Sequence, residues 1–246
     1  MNIPAQITQL IEDGALFVIN SSGGKDSQAM TALLAKIIPA NQLIIAHAVL
    51  PEVEWEGVQT HIEATAQNIP VHYCQAEKTF FDMVEHRGMF PSSKYRQCTS
   101  DLKRNPLDKL IRHYMKANSF TKVVSCWGLR AQESPARSKK PVLKYDTTNS
   151  KAGREWYVWL PIHDMLLEEV WQTIKNAGQQ PHYAYSLGMT RLSCCFCIMS
   201  SKHDLRIAAV HNPELFKRVL ELELKHNHTM MLGAKQTPIT LDKYIS

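Results

Sequence analysis

The fold of this chain is decided by residues 15–27, which read ALFVINSSGGKDS. The apolar run 15–20 is typical of a buried parallel strand, and it leads directly into a loop with two glycines. After the loop, apolar residues recur at helical spacing from Ala29 to Ile38, and Pro39 ends the pattern. The segment therefore predicts a strand, a glycine loop and a helix in succession.

The same alternation continues along the rest of the chain. Further strands are predicted at 42–50, 71–74 and 122–127, and further helices at 55–67, 106–117, 166–175 and 213–226. Strands that alternate with helices indicate βαβ units and a parallel sheet. We therefore expect an α/β fold of three layers, α/β/α, with a mainly parallel sheet and a C-terminal helical region that carries cysteines.

The composition narrows the class of protein. The 246 residues carry a net charge of +5, and 44% of them are hydrophobic, which is ordinary for a globular chain. No apolar run approaches the roughly 20 residues needed to span a bilayer, and the first residues lack the pattern of a secretory signal. We expect a cytoplasmic protein that does not contact membranes. Its six cysteines are then reduced thiols or metal ligands rather than disulfides.

The glycine loop, Ser21–Ser27, has the chemistry of a phosphate site. Gly23 and Gly24 let backbone N–H groups approach an anion closely, and the helix that follows adds its N-terminal dipole. Lys25 supplies a full positive charge, and Asp26 is placed to hold Mg²⁺ against phosphates. A tight strand-to-helix turn with a capping Ser or Asp is the structural alternative.

The residues SGGKDS at Ser22–Ser27 resemble the loop of the PP-loop ATP pyrophosphatases, which cleave ATP between its α and β phosphates. Four further motifs follow in the order typical of the phosphoadenosine phosphosulfate (PAPS) reductase-like group: YRQCTSDLKRNPL at 95–107, GLRAQES at 128–134, WLPI at 159–162 and the cysteine motif 191–198. The resemblance covers roughly residues 15–205. It implies an adenine nucleotide alpha hydrolase-like fold.

The resemblance also implies which residues bind and act on the nucleotide. ATP is expected to contact Ser22, Gly23, Gly24, Lys25, Asp26 and Ser27, and catalytic roles fall to Lys25, Asp26 and Arg130. Arg130 follows the fourth predicted strand, at the end of the sheet where open α/β folds bind ligands. A surface ion pair is the alternative for Arg130. We expect a nucleotide-binding domain over residues 1–205 and a helical extension over 206–246 packed on it.

The cysteines suggest a metal centre. Cys194 and Cys197 form a CxxC pair, a spacing at which two thiolates can bind one centre. In the related family this motif and the cysteine that corresponds to Cys98 hold an iron–sulfur cluster, expected here to be of the 4Fe–4S type. The fourth ligand is Cys195 or an open position. Zinc and an apolar turn with inert thiols are the alternatives.

Residues 132–156 lose all periodicity and are predicted to form a long basic loop. Between Arg130 and Glu155, seven Lys or Arg residues face three acids, an excess that suits a polyanion such as tRNA or DNA. A solvated lysine loop is the alternative.

These features favour an adenylating ATP pyrophosphatase in sulfur transfer to nucleic acid or a related acceptor. A sulfur donor such as a cysteine desulfurase would assist it, and an oligomer is possible. A sulfonucleotide reductase is disfavoured because no cysteine follows Cys197 to act as nucleophile. The remaining alternative is a non-catalytic subunit that binds nucleotide and cluster within a larger complex.

Overall fold

The computed structural model describes residues 3–233 and 237–246. The helices are α1 (Ala5–Glu12), α2 (Lys25–Leu34), α3 (Val58–Thr65), α4 (Phe80–Arg87), α5 (Gln97–Thr99), α6 (Asn105–Ala117), α7 (Pro135–Ser138), α8 (Leu167–Asn176), α9 (Lys202–His211), α10 (Pro213–His226) and α11 (Leu241–Ile245). The strands are β1 (Leu16–Asn20), β2 (Leu43–Val49), β3 (Val71–Gln75), β4 (Lys122–Trp127), β5 (Leu143–Tyr145), β6 (Glu155–Trp159), β7 (Met231–Leu232) and β8 (Pro238–Ile239). The first six strands form one sheet in the order β3-β2-β1-β4-β6-β5.

The sheet is mainly parallel, which confirms the expected α/β class. Phe17 of β1 lies opposite Leu43 of β2 on one side and Val124 of β4 on the other, in parallel register. β6 continues the parallel arrangement beside β4, and β5 alone is shown antiparallel, to β6. All five residues of β1 are buried, as expected of a central strand that is covered on both faces. Helices flank this sheet.

The prediction that residues 132–156 form a long loop without regular structure is wrong. The segment contains α7 and β5 and runs into β6, which begins at Glu155. β5 and β6 form an antiparallel pair in which Lys144 lies opposite Val158. A helix of four residues and a strand of three are too short to produce a periodic pattern, so composition alone suggested a loop.

Contacts divide the chain into two compact units, and both are discontinuous in sequence. The first contains the chain up to His47 together with Gly57–Cys74 and Leu107–His182. The second contains Ala48–Glu56, Gln75–Pro106 and Tyr183–Ser246. The predicted boundary near residue 205 stays a prediction. None of the helices among the described residues is long and apolar enough to cross a membrane.

Candidate functional site

The glycine loop joins the central strand β1 to α2 in the first unit. Gly23 adopts a φ of 71°, a conformation that favours glycine, and the extended Gly24 is the N-cap of α2. The amide of Gly23 donates to Ser21 Oγ at 3.2 Å, and the Ser27 hydroxyl donates to the Gly24 carbonyl at 2.8 Å. These two short bonds fix the shape of the loop at the N-terminus of a helix, where anions bind favourably.

Neighbouring elements of the first unit hold α2 in place. Ala29 is fully buried and packs in one apolar cluster with Val170 and Ile174 of α8. On the same helix, the side-chain amide of Gln28 donates to the Gln180 carbonyl at 3.0 Å. The helix that carries the loop is therefore anchored by both apolar packing and hydrogen bonds.

Three charged side chains meet at the start of α2. Lys25 Nζ lies 3.1 Å from Asp26 Oδ2, and Arg130 Nε donates to Asp26 Oδ1 at 2.7 Å. Lys25 and Arg130 are both buried, at 4% and 5% exposure. The carboxylate of Asp26 thus contacts two cations, and a phosphate in the loop could draw either of them to itself.

Arg130 is not a surface ion pair of a loop. Its Nη1 donates to Gln132 Oε1 at 2.8 Å, and its backbone amide donates to Glu133 Oε2 at 2.9 Å. Gln132 Oε1 also accepts from the Leu167 amide at the start of α8, at 3.0 Å. The guanidinium is therefore held in a fixed direction beside the glycine loop, as a phosphate contact requires.

The close packing around Gly128 explains why the GLR motif begins with a glycine. A Cβ at this position would lie 3.2 Å from the Asp26 carbonyl carbon and 3.2 Å from the Ser27 amide nitrogen. Both atoms belong to backbone, so a side chain here would displace the glycine loop. The absence of a Cβ thus lets the chain after β4 pack directly on the loop.

The basic segment, residues 130–155, contains some cations that form ion pairs and others that are exposed. Arg130 contacts Asp26, and Arg137 forms an ion pair with Glu133. The side chains that stand exposed are those of Lys139, Lys140, Lys144 and Lys151. Beside Lys144, Tyr145 is 45% exposed and packs edge-on against Tyr157. Four exposed lysines near one short strand can attract a polyanion.

The CxxC pair lies on a turn of the second unit, and α9 holds the chain that leads into it. Asp204 accepts hydrogen bonds from the Thr190 amide and hydroxyl, both at 2.7 Å. After this clamp, the Cys195 amide donates to the Val53 carbonyl at 2.8 Å, and the Met199 amide donates to Cys197 Sγ at 3.4 Å.

Cys98 stands on a continuous helical stretch made of α5, a π-helical turn at Ser100–Arg104 and α6. Burial raises the pKa of Cys98, Lys103 opposes this rise, Cys197 adds to it, and hydrogen bonds with the hydroxyl and backbone of Thr99 lower it slightly. π-Helical turns are rare, and they occur frequently at functional sites.

Electrostatic coupling joins Cys98, Cys194, Cys197 and Lys103 in one group. The pKa of Lys103 is raised, above all by Cys194, and also by Cys197 and Cys98, against the opposing effect of burial. Burial raises the pKa of Cys194 to about 11, Lys103 opposes this rise, and Cys197 and Cys98 add to it. The three cysteines that the sequence predicted as ligands are thus brought into one neighbourhood of the second unit.

These cysteines do not form a ready site for a single ion. Among residues 3–233 and 237–246, no group of three or more His, Cys, Asp or Glu side chains is arranged to hold a metal ion. His203, a possible zinc ligand by its sequence position, has Nε2 at 3.1 Å from the Gly188 carbonyl. The three thiols therefore interact electrostatically without forming a single-ion site.

Cys74 and Cys126 are packing residues of the sheet. Cys126 is fully buried in β4, and its thiol lies 3.7 Å from the Val124 carbonyl. Cys74, on β3, is half-buried, and burial raises the pKa of its thiol to about 11. Cys195 is fully buried, and burial followed by Cys194 raises its pKa to about 12. Burial, Glu56 and the Cys195 thiol, in that order, raise the pKa of Tyr183.

Lys103 is the residue that sequence reasoning missed. It lies inside the predicted motif 95–107, in a run with Arg104 that reads as an ordinary charged helix surface. No spacing rule singles it out, because helical neighbours lie three or four residues apart and Lys103 lies five residues after Cys98. Only the folded chain brings Cys194 and Cys197 to it.

Comparison with known proteins places these sites in a family. The model of the phosphoadenosine phosphosulfate reductase domain matches residues 17–200. The chain is 33% identical over 145 residues to an uncharacterized 37.8 kDa protein of Escherichia phage 186, covering 58% of this chain and 42% of that protein. It is 26% identical over 210 residues to an uncharacterized protein of Methanocaldococcus jannaschii, covering 84% of this chain and 47% of that protein. The chain therefore spans less than half the length of these curated relatives.

Among solved structures, a phosphoadenylyl-sulfate reductase from Candida auris, in a phosphate complex, matches with a TM-score of 0.48 and 12% sequence identity. The match covers 79% of this chain and 97% of that one. The family match extends over the glycine loop, Arg130 and all three cysteines of the electrostatic group. The chain belongs to the phosphoadenosine phosphosulfate reductase family, a family of nucleotide-utilising enzymes in the adenine nucleotide alpha hydrolase superfamily.

Proposed function

We propose that this chain is an ATP pyrophosphatase that adenylates an acceptor and, together with an iron–sulfur cluster, takes part in transferring sulfur to it. The observation that carries the proposal is the glycine loop, with Gly23 at positive φ, Gly24 as the N-cap of α2 and buried Lys25 and Arg130 on either side of Asp26. This arrangement suits a bound polyphosphate chain.

In the first step, an acceptor oxygen attacks the α-phosphorus of ATP. The new bond joins that oxygen to AMP, the bond between the α-phosphorus and its bridging oxygen breaks, and pyrophosphate leaves with the electron pair. Lys25 and the loop amides stabilise the negative charge that develops on the phosphates. Arg130, with its guanidinium held by Gln132, keeps a second positive charge beside the same loop.

Mg²⁺ fits this site under one condition. Two cations already contact the Asp26 carboxylate, and a divalent ion beside them would be repelled. If phosphate draws Lys25 to itself, Asp26 Oδ2 becomes the atom that would hold Mg²⁺. Mg²⁺ would then neutralise charge on the departing pyrophosphate.

The second step replaces AMP by sulfur. The terminal sulfur of a persulfide on a sulfur donor, such as a cysteine desulfurase, attacks the activated atom of the acceptor, the bond from that atom to the oxygen shared with AMP breaks, and AMP leaves with the electron pair. An external dithiol then cleaves the disulfide between the acceptor sulfur and the donor cysteine; the dithiol is oxidised to its own disulfide, and the thiolated acceptor and the donor thiol are released. Cys98, Cys194 and Cys197 are the residues that would hold an iron–sulfur cluster, of the 4Fe–4S type, which would supply an iron with an open position for sulfur.

The donor set narrows the metal without deciding it, because soft thiolates suit both an iron–sulfur cluster and zinc. A cluster is favoured over zinc because the motifs around Cys98 and the CxxC pair resemble those that hold a cluster beside the nucleotide in the related family. Lys103 would offset part of the negative charge of three thiolates.

Nucleic acid, as tRNA or DNA, is the acceptor that best suits the charge of the chain. The exposed Lys139, Lys140, Lys144 and Lys151 in the basic segment would contact its phosphates. A molecule held this way would bind less tightly as salt rises, because phosphate contacts release counterions.

Pyrophosphate release, measured with ATP and candidate nucleic acids, tests the proposal. Lys25→Ala and Asp26→Ala should each reduce Mg·ATP binding or turnover by at least about tenfold, or about 1.4 kcal/mol. Lys36→Ala, an exposed lysine just beyond α2, is the matched control and should behave as the wild type. Unchanged binding and turnover in both loop variants would reject the ATP assignment.

The family match itself favours a second candidate, a sulfonucleotide reductase. That reaction needs a nucleophilic thiol outside the cluster, and burial raises the pKa of Cys74 and of Cys126, which makes both poor nucleophiles. Sulfite release from a sulfonucleotide with thioredoxin as reductant would establish this candidate instead. A chain that binds ATP but releases neither pyrophosphate nor sulfite would be a binding subunit.

A further inference from the structure

A small turn precedes the helical stretch that carries Cys98. In this turn, Ser92–Arg96, the Ser92 amide donates to the Tyr95 carbonyl at 3.2 Å. The Tyr95 amide donates back to Ser92 Oγ at 3.1 Å. The two bonds close the turn on itself, so the tyrosine at its end has a fixed backbone although it stands at the surface.

The Tyr95 side chain is 62% exposed, more than any other aromatic side chain in the described part of the chain. Its described ring contact is with the Lys94 ammonium, 5.3 Å from the ring centroid. A large aromatic ring exposed to this degree contributes little to a hydrophobic core. The exposed ring is therefore accessible to a binding partner.

The charges near the ring define the chemistry of that partner. Residues 92–104 carry four cations, namely Lys94, Arg96, Lys103 and Arg104, against one carboxylate, Asp101. Lys94 and Arg96, which flank Tyr95 in sequence, are both exposed. An exposed aromatic ring flanked in sequence by two exposed cations matches a nucleotide of a single strand, because a base can stack on the ring and the phosphates can contact the cations.

The turn also lies close to the electrostatic group of cysteines. Tyr95 precedes Cys98 by three residues, so their Cα atoms are at most about 11 Å apart. Arg96 is the N-cap of α5, which carries Cys98, and the turn therefore continues directly into that helix. A base held on Tyr95 would have a neighbouring nucleotide within reach of Cys98.

We propose that the Ser92–Arg96 turn is a stacking platform for an unpaired base of single-stranded nucleic acid. The inference rests on the proposed function, because it names how the acceptor is presented near the cysteines. It adds that recognition requires a single-stranded segment, such as a loop, a bulge or an opened duplex. In this proposal Tyr95 contacts the substrate base.

Binding of a short fluorescent oligonucleotide to the full chain, by anisotropy, tests the platform. The arms are RNA and DNA of one sequence, the annealed duplex, and the same strand with abasic sites. Tyr95→Ala should weaken single-strand binding about tenfold and Tyr95→Phe should restore it, since the phenylalanine ring still stacks. Tyr95→Ala should leave the salt dependence unchanged, whereas Lys94→Gln should reduce it.

Mg·ATP affinity, measured on each variant, shows that the fold and the ATP site are intact. Loss of the Tyr95→Ala effect on the abasic strand supports stacking. Equal binding by wild type and Tyr95→Ala overturns the proposal, as does a Tyr95→Phe variant as weak as Tyr95→Ala. If no nucleic acid binds while ATP turnover persists, the platform is rejected and the ATP assignment stands; if ATP binding fails as well, the proposed function itself is rejected.

Discussion

His61, a half-buried residue of α3, has a pKa that burial and the neighbouring His182 lower to about 4, from an ordinary value of 6.5. The two imidazole rings meet edge to face with centroids 5.3 Å apart, and His182 is 3% exposed. The Nε2 atom of His61 is buried without a hydrogen-bond partner. Protonation of His61 in the folded chain is therefore unfavourable.

This residue predicts acid sensitivity. Between pH 6.5 and 4 the unfolded chain binds a proton at His61 and the folded chain does not, so stability falls as the pH falls through this window. The loss should reach about 2 to 3 kcal/mol at pH 4. His61→Phe should flatten this part of the profile, measured by urea unfolding at each pH.

Exposed His86 supplies the control for that measurement. His86→Gln should keep the pH dependence of the wild type, because removing an exposed imidazole removes no buried neutral group. A His61→Phe profile parallel to that of the wild type would show that other groups cause the acid sensitivity.

At the scale of single residues, the sequence indicated which residues belong to the candidate site but not which residues they contact. Lys25 and Asp26 were predicted near phosphate because glycines beside Lys and Asp after an apolar strand are distinctive, and Arg130 because it follows the fourth predicted strand, with a surface ion pair as the alternative. The 2.7 Å bond from Arg130 to Asp26 was not predictable, since the two residues lie 104 positions apart. The same reason hid Lys103 and the proximity of His61 to His182.

At the scale of elements, the contact between the chain after β4 and the glycine loop can be tested through Gly128. Gly128→Ala would place a Cβ 3.2 Å from backbone atoms of Asp26 and Ser27, so the loop must shift. Overpacking of this kind costs about 1–3 kcal/mol. We expect at least about tenfold weaker Mg·ATP binding by calorimetry and a lower melting temperature.

Gly233→Ala is the matched control for Gly128→Ala. Its Cβ would meet side-chain atoms at 3.5 Å or more, which is ordinary contact. It should melt and bind ATP like the wild type. Wild-type ATP affinity in Gly128→Ala would mean that the loop does not need the close approach of this backbone.

Two elements with strong patterns were predicted to within a residue, whereas α2 ends at Leu34 and not at the predicted Ile38. The buried run at β1 and the apolar periodicity of α10, Pro213–His226, both appear within a residue of their predicted bounds. β6 was missed because it follows a polar segment, although its sequence EWYVW is rich in residues that favour strands. β5 was missed because three residues carry no periodicity.

At the scale of the whole molecule, the cysteines can be tested as one set. Protein prepared without oxygen should be brown, with iron and acid-labile sulfide in near-equal amounts. Replacing Cys98, Cys194 or Cys197 by Ala should remove the colour, because each thiolate would bind the same cluster. Optical spectra together with iron and sulfide analysis provide the measurement.

Cys74→Ala and Cys126→Ala are the controls for that set, since both thiols belong to strands of the sheet. They should keep the colour. A colourless anaerobic preparation with about one zinc per chain and no sulfide would show a structural site, and the sulfur-transfer mechanism would lose its main support.

Long-range organisation was the least predictable level. Each of the two units is assembled from three separated stretches of chain, and no composition shift or linker marks where one gives way to the other. The family resemblance predicted that Cys98 lies near a CxxC motif nearly a hundred residues later. Local periodicity gives no information on such a long-range contact.

The outermost strand β5 has a consequence for self-association. It ends the order of the six-stranded sheet, so the backbone groups on its outer side are available to a strand from another copy. β5 is only three residues long and carries the exposed Lys144, with Lys139 and Lys140 shortly before it. Two copies aligned along this strand would bring like charges together. The lysines proposed to attract a polyanion therefore also protect the sheet against edge-to-edge polymerisation, and a bound polyanion that neutralised them would weaken that protection.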